Sequence, residues 1–368
     1  MSVKNQIRLA RHVIISAILV VVLVAVALST PAQDSSTKEV SPIDNLPPHI
    51  TRITHFGQRA DWSHDGKRIL FIERTFGDVF EVDVGTKVIR PMTHHYFHEG
   101  YTRALYLVNG DILLSGSRVF DAEDPWPSRG ETAELWVLDK SLTKPPVPLG
   151  EFCSEGPAVS RSKMTIAWAV VHDNYPDRLP EDASQIWMAD IVHEDGTLKL
   201  LNKKKVLDSR DLPFDCTLEA QNFRPPDEKE ITCSAYGWQG GEVMGVNIES
   251  GKVVNYSRGV LSYEEPEGIF PDGEYTTVER APDAPDAFEG RPALDIWRLK
   301  FNAGRRQPEW TQVTFFSQYP PYRGTNPVIS DDGRFMAFQM ARATDAAGVG
   351  YGIFVYDLTK APIGESEK

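Results

Sequence analysis

The chain alternates short apolar runs with tight polar breaks, and NPVISDDGRFMAF (326–338) shows the unit: an apolar run, an Asp-Asp-Gly turn, a second apolar run. An Asp-Gly pair between apolar runs signals a β-hairpin. The same pattern recurs in ADWSHDGKRILF (60–71), ALYLVNGDILL (104–114), PAVSRSKMTIAW (157–168), AQNFRPPDEKEITC (220–233) and PEGIFPDGEYTTV (266–278). Downstream of each hairpin lies a third apolar segment in which a large residue is followed three positions on by a polar one. The large residues are Phe80, Trp136, Trp187, Met244, Trp297 and Phe354, at intervals of 56, 51, 57, 53 and 57. A period near fifty with three or four strands per unit predicts an all-β, six-bladed β-propeller.

Fourth strands are expected at 88–93, 146–152, 204–209, 253–257 and 310–316. The sixth unit ends near Asp357 without one. A segment similar to WTQVTFF (310–316) stands instead at the start, HITRITHFG (49–57). The last blade is therefore expected to take its outer strand from the N-terminal side, which leaves the ring without a free sheet edge.

WSHDGKRILF, IFPDGEYTTV and ISDDGRFMAF, each leading to a third strand and two of them to an outer strand ending in Thr, resemble the repeats of the TolB-type six-bladed propeller family (WD40-like, or PD40, repeats). The resemblance spans roughly 49–360. It implies the fold and leaves function open, because such propellers include partner-binding periplasmic proteins, non-catalytic domains of prolyl peptidases and some polysaccharide lyases. Certain oligogalacturonate lyases of this repeat type use a His-rich manganese site with a Gln. Gln339 and His172 are present here, but the last two units contain no His.

The turn residues Asp65-Gly66, Asp272-Gly273 and Asp332-Gly333 are expected to be structural, with Asp bonding its own backbone and Gly taking positive φ. Chemistry belongs on the opposite face, where the second-to-third and fourth-to-first connections emerge. That face carries the inserts 117–133, 172–184, 280–294 and 341–352. Counting on from the second strands places Arg74, Arg118, His172, Tyr236, Arg280 and Arg342 toward one mouth. Arg binds carboxylate or phosphate bidentately, so the functional reading is an anionic ligand; the alternative is that each Arg pairs with a neighbouring acid. The loops entering the first strands add Glu155, Asp215, Glu264, Glu265, Glu267, Tyr322, Arg323 and Asn326, of which Glu265 joins the predicted ligand site. Trp126, Tyr175 and Trp238 could stack on a sugar ring or pack their own loops.

The formal charge is -13, and Lys203-Lys204-Lys205 is the main basic run, so nucleic acid is not an expected partner. Lys4, Arg8 and Arg11 precede the apolar stretch 13–28, which reads as an export signal (1–32) or an uncleaved membrane anchor. Residues 33–48 read as a linker, 49–362 as the propeller and 363–368 as a tail. A periplasmic or secreted monomer is expected, with anchoring to the inner membrane as the alternative. Cys153, Cys216 and Cys233 are odd in number; if a disulfide forms, Cys153–Cys216 is the favoured pair, and three free thiols are the alternative. His94, His95 and His98 invite a divalent-metal reading, but the spacing is poor, and no cofactor is expected. No Gly-x-Ser-x-Gly elbow is present. Two functions are carried forward: a non-catalytic propeller that binds a ligand or protein partner at the insert-bearing face, or a lyase acting on an anionic, uronate-containing carbohydrate. In the second, the arginines would hold carboxylates while His172, Tyr236 or a glutamate served as base.

Overall fold

A computed structural model describes residues 40–237, 240–259, 261–282, 294–304, 307–345, 348–361 and 363. The proposed signal or anchor, residues 33–39 of the linker, Trp238, most of the 280–294 insert and most of the tail lie outside the described residues. Among the described residues, no helix is long and apolar enough to cross a membrane.

Six four-stranded antiparallel sheets form the six blades of the propeller. Blade 1 is β2 (Gln58–Trp62), β3 (Arg68–Ile72), β4 (Val79–Asp83) and β5 (Ile89–Pro91). Blade 2 is β6 (Tyr101–Tyr106), β7 (Ile112–Ser117), β8 (Ala133–Leu138) and β9 (Val147–Phe152). Blade 3 follows with β10 (Glu155–Val159), β11 (Thr165–Val171), β12 (Ser184–Glu194) and β13 (Thr197–Asp208), and blade 4 with β14 (Thr217–Phe223), β15 (Glu230–Tyr236), β16 (Gly241–Asn247) and β17 (Val253–Asn255). Blade 5 is β18 (Tyr263–Ile269), β19 (Tyr275–Ala281), β20 (Asp295–Lys300) and β21 (Trp310–Gln312). Blade 6 is β22 (Tyr322–Ile329), β23 (Phe335–Arg342) and β24 (Ile353–Asp357), completed by β1 (Ile50–Arg52), which pairs antiparallel with β24.

The strands read as continuous apolar runs because both faces of each blade are covered. In β3, Leu70 and Ile72 pack into the cluster shared with blade 2, while Ile69 and Phe71 pack into the cluster shared with blade 6. The core is thus divided among the junctions between neighbouring blades. The large third-strand residues sit in register opposite second-strand partners: Phe71 with Phe80, Trp168 with Trp187, Cys233 with Met244 and Phe338 with Phe354.

A recurring hydroxyl ties the outer strand to the third. Thr93, Ser209, Ser257, Thr314 and Thr54 accept the backbone N–H of Val79, Ser184, Val243, Ile296 and Ile353, at 2.9 to 3.0 Å. Three of these hydroxyls donate onward to an acid at the start of the third strand, Asp78, Glu242 or Asp295. This bond gives the Thr-ending outer strand its physical meaning. It also shows β1 acting as a true fourth strand, since Thr54 fills the same role for blade 6.

The Asp-Gly turns are structural, as expected. Asp272 accepts the Glu274 N–H at 2.8 Å, Asp332 accepts the Arg334 N–H at 3.0 Å, and Gly66, Gly273 and Gly333 have φ of 66°, 69° and 70°. On this face Arg161 reaches across to Asp331 at 2.7 Å and to the Trp62 carbonyl at 2.9 Å, while His64 meets Asp331 at 2.7 Å. Three blades are thereby latched together at one end of the channel.

Blade 3 departs from expectation. Its outer strand is far longer than 204–209, because β12 and β13 extend into a hairpin turned by Asp195 and Gly196, both at positive φ. All three cysteines are free thiols: Cys153 is buried in the cluster between blades 2 and 3, whereas Cys216 and Cys233 pack between blades 3 and 4.

Candidate functional site

The first strand of each blade lines the central channel, and in this chain those strands carry charges. Alternate residues of a strand share a face, so Tyr263, Glu265 and Glu267 of β18 face the channel, whereas Glu264 faces away toward Arg280. The neighbouring first strands add Arg59, Arg103, Glu155, Glu219, Arg323 and Thr325. A cavity of about 650 Å³ opens at the insert-bearing end, walled by these residues except Arg103, together with Trp126 and Arg129 of the 117–133 insert and Asp173 and Asn174 of the 172–184 insert. A second cavity of about 270 Å³ lies toward the Asp-Gly turns, and Glu267 borders both.

Backbone irregularities hold the inner strands in place. Arg59 and Asn326 take positive φ at bulges, and their N–H groups donate to Gln339 and Glu279, second-strand side chains of the preceding blade, at 2.6 Å each. Gly156 occupies a similar bulge at φ 64°. A Cβ there would overlap Glu219 Cγ and lie 2.8 Å from the Ala220 carbonyl, so only glycine lets blade 4 approach this closely.

The charges fall into two groups. Glu155 forms a compact triad, accepting from Arg129 Nε at 2.9 Å, from a second Arg129 nitrogen, and from Arg59 at 3.1 Å. Burial acts to raise its pKa, but Arg129 and Arg59 together outweigh it and hold Glu155 down at about 2. The second group is Glu219, Glu265, Glu267 and Glu279, with Arg103 between two of them at 3.8 Å from Glu219 and 3.7 Å from Glu267. Tyr236 donates to Glu219 at 3.0 Å, Tyr263 donates to Glu265, and the Asn326 side chain donates to Glu267 at 2.6 Å. Burial, with neighbouring carboxylates behind it, pushes Glu219 and Glu279 well above the usual carboxylate range; burial and Glu267 push Glu265 to about 7. Although buried, Thr325 Oγ1 and Arg103 Nε make no hydrogen bond among the described residues.

Of the residues assigned to a ligand site from sequence, the structure places Tyr236 and Glu265 in the cavity wall. Arg118 forms a two-pronged pair with Glu134, both bonds 2.8 Å, and lies over Trp136. Arg280 bonds Glu264 at 2.9 Å and stacks over Trp297 and Trp310. Arg342 lies over Tyr322, His172 bonds the Leu179 carbonyl at 3.0 Å, and Arg74 is exposed. None of these five lines the cavity. In blade 5 the register explains the outcome: Val278, not Thr277, stands opposite Trp297, so Glu279 turns into the channel and Arg280 turns out.

Among the entering-loop candidates, Glu155, Glu265, Glu267, Arg323 and Asn326 line the cavity; Asp215, Glu264 and Tyr322 do not. Trp126 stands at the mouth, half exposed, whereas Tyr175 is buried and ties its insert to the neighbouring 117–133 insert through a bond to the Gly130 carbonyl. His94 and His98 converge on a carboxylate the spacing did not suggest, Asp78, at 2.9 Å each. Among the described residues, no group of three or more His, Cys, Asp and Glu is arranged to hold a metal ion. Sequence reasoning missed Arg59, Arg103, Glu219 and Glu279. The available signal was a charged residue inside an apolar strand that the repeat marks as innermost or next to it.

No family model matches the chain, and no curated protein sequence matches it. Solved structures do. A putative TolB from Agrobacterium tumefaciens matches with a TM-score of 0.50 at 12% identity, over 83% of this chain and 95% of that one. TolB from Acinetobacter baumannii matches with a TM-score of 0.50 at 11% identity, over 80% of this chain and 64% of that one. An oligogalacturonate lyase in complex with manganese matches with a TM-score of 0.49 at 13% identity, over 83% and 79%. At these identities the likeness speaks for the fold, and the fold of this chain is that of the TolB-type six-bladed β-propellers.

Proposed function

We propose that this chain is an exported, non-catalytic propeller that binds a small ligand in the channel cavity at its insert-bearing face. The observation that carries this reading is the cavity itself. It falls in the roughly 300 to 1,000 Å³ range of small-molecule sites, and it concentrates buried charged and polar groups that a purely structural core would exclude. The inserts are consistent with a rim: Trp126, Val119 and Val349 are exposed large apolar residues on that side, a surface that a protein partner could also use. Export rests on the charged and apolar pattern of residues 1–32, and periplasmic placement on the likeness to TolB. The test is equilibrium binding of a sugar and metabolite panel to the full chain, followed by Trp fluorescence and thermal melting. A saturable response that Thr325→Val and Glu265→Gln both weaken supports the reading; no response from any ligand overturns it.

One observation keeps a uronate lyase as a second reading. Glu265, bonded by Tyr263 and held near neutrality inside the cavity, has the proton affinity of a general base. Incubation with uronate oligosaccharides would then give products absorbing as conjugated unsaturated sugars, and Glu265→Gln would abolish them. Absence of product, with and without added divalent metal, removes this reading.

A further inference from the structure

The class of ligand follows from what the cavity has left to offer, and the argument rests on the binding reading above. Of the three arginines that line it, Arg59 and Arg129 both pair with Glu155, which leaves that triad with one positive charge in excess. Over the whole lining, Glu155, Asp173, Glu219, Glu265, Glu267 and Glu279 stand against Arg59, Arg129 and Arg323, and even with Arg103 of the adjoining second cavity counted, carboxyl groups outnumber guanidinium groups six to four. An anion placed there would meet this excess, whereas a cation would relieve it. The second observation is independent of charge. Thr325 is 5% exposed and lines the cavity on the same face of β22 as Arg323, yet its hydroxyl has no partner among the described residues. On the wall of the second cavity, Arg103 Nε likewise makes no hydrogen bond among the described residues, and its two ion pairs are too long to be hydrogen bonds. A hydroxyl left unsatisfied in a buried wall calls for a ligand that brings hydrogen-bonding groups as well as charge. At the mouth, Trp126 offers a half-exposed ring of the kind on which a sugar face stacks.

We propose that the cavity takes a protonated amine carried on a polyhydroxylated frame, an amino sugar, with its ammonium group among Glu219, Glu265, Glu267 and Glu279 and its hydroxyls toward Thr325. The ammonium replaces the protons that burial and mutual repulsion otherwise keep on these carboxyls. Its binding is therefore coupled to proton release from the cluster. The groups facing Glu265 that set this coupling are Glu219 and Tyr236 from blade 4, Tyr263, Glu267 and Glu279 from blade 5, Glu155 from blade 3 and Arg59 from blade 1.

The probes are three sugars of one ring shape and different charge: glucosamine, glucose and glucuronate, titrated calorimetrically into the full chain at pH 5 and pH 7. Glucosamine is expected to bind tightest of the three, and more tightly at pH 7 than at pH 5. Glu265→Gln should weaken it at least about tenfold and shrink the pH difference, and Thr325→Val should weaken glucosamine and glucose alike. Glucuronate or glucose binding more tightly than glucosamine overturns the charge class while leaving a ligand-binding cavity in place. Binding of none of the three overturns the amino-sugar proposal, and the wider panel then decides the binding reading separately. The comparison among the three sugars uses the unaltered protein, so a variant that fails to fold does not remove the test.

Discussion

Replacing Thr54 with valine probes the seam that closes the ring. The side chain is 1% exposed; its hydroxyl accepts the Ile353 N–H at 2.9 Å and donates to the Phe56 carbonyl at 2.6 Å. Valine keeps the volume, so no cavity term enters, and what changes is the hydrogen bonding. The Ile353 N–H lies in a dry junction and loses its only acceptor in that geometry, whereas the Phe56 carbonyl sits beside an exposed residue that water can reach. One buried donor left unpaired costs about 1 to 3 kcal/mol, and a loss of about 2 kcal/mol is expected. Thr93→Val breaks the corresponding bond inside blade 1, where consecutive strands hold each other through short connections. At Thr54 the two strands are 299 residues apart in sequence, so nothing local restores the contact. The assay is urea unfolding followed by Trp fluorescence, paired with limited proteolysis. In Thr54→Val, cleavage should begin near residues 49–57; in Thr93→Val, it should not. A stability loss below about 0.5 kcal/mol, or the same first cleavage in both variants, refutes the claim that this hydroxyl closes the propeller.

Three further outcomes are expected. Gly156→Ala should destabilise by about 2 kcal/mol or more, since its Cβ meets Glu219 and the Ala220 carbonyl at a positive φ; the urea midpoint reads it. Glu155, held at about 2 by Arg129 and Arg59 against burial, contributes stability that is present above its ordinary pKa of 4.5 and lost as pH falls toward 2. The stability difference between the protein and Glu155→Gln should therefore shrink by about 2 kcal/mol between pH 6 and pH 2. Glu265 has the opposite sign: raised to about 7 by burial and Glu267, it favours the folded state below pH 4.5 and loses that contribution as pH rises through 7, so Glu265→Gln should gain in relative stability between pH 5 and pH 8.

The lining of the channel cavity was only partly readable from sequence, and particular residues show why. Glu155, Glu265, Glu267, Arg323 and Asn326 were legible because they stand where a loop enters the first strand, a position the repeat defines. Arg280 and Glu279 were exchanged by a one-residue slip in blade 5, and with side chains alternating between faces such a slip sends the wrong residue into the channel. The extended hairpin of blade 3 was not legible from the repeat, although Asp195-Gly196 is an ordinary turn signal, because it adds a second hairpin to a unit whose period implies one.

What the sequence determined by itself was the architecture: the number of blades, the structural turns and the borrowed outer strand all follow from local hydrophobic period and turn chemistry, which act within a few residues. What only the tertiary structure decided was which charges meet. Arg129 reaches Glu155 of the next blade, Arg103 of blade 2 stands between carboxylates of blades 4 and 5, and Arg118 turns to Glu134 in its own sheet. Such partnerships depend on strand register, bulges and the convergence of six first strands on one axis, and none of these distances is encoded in any single stretch of chain.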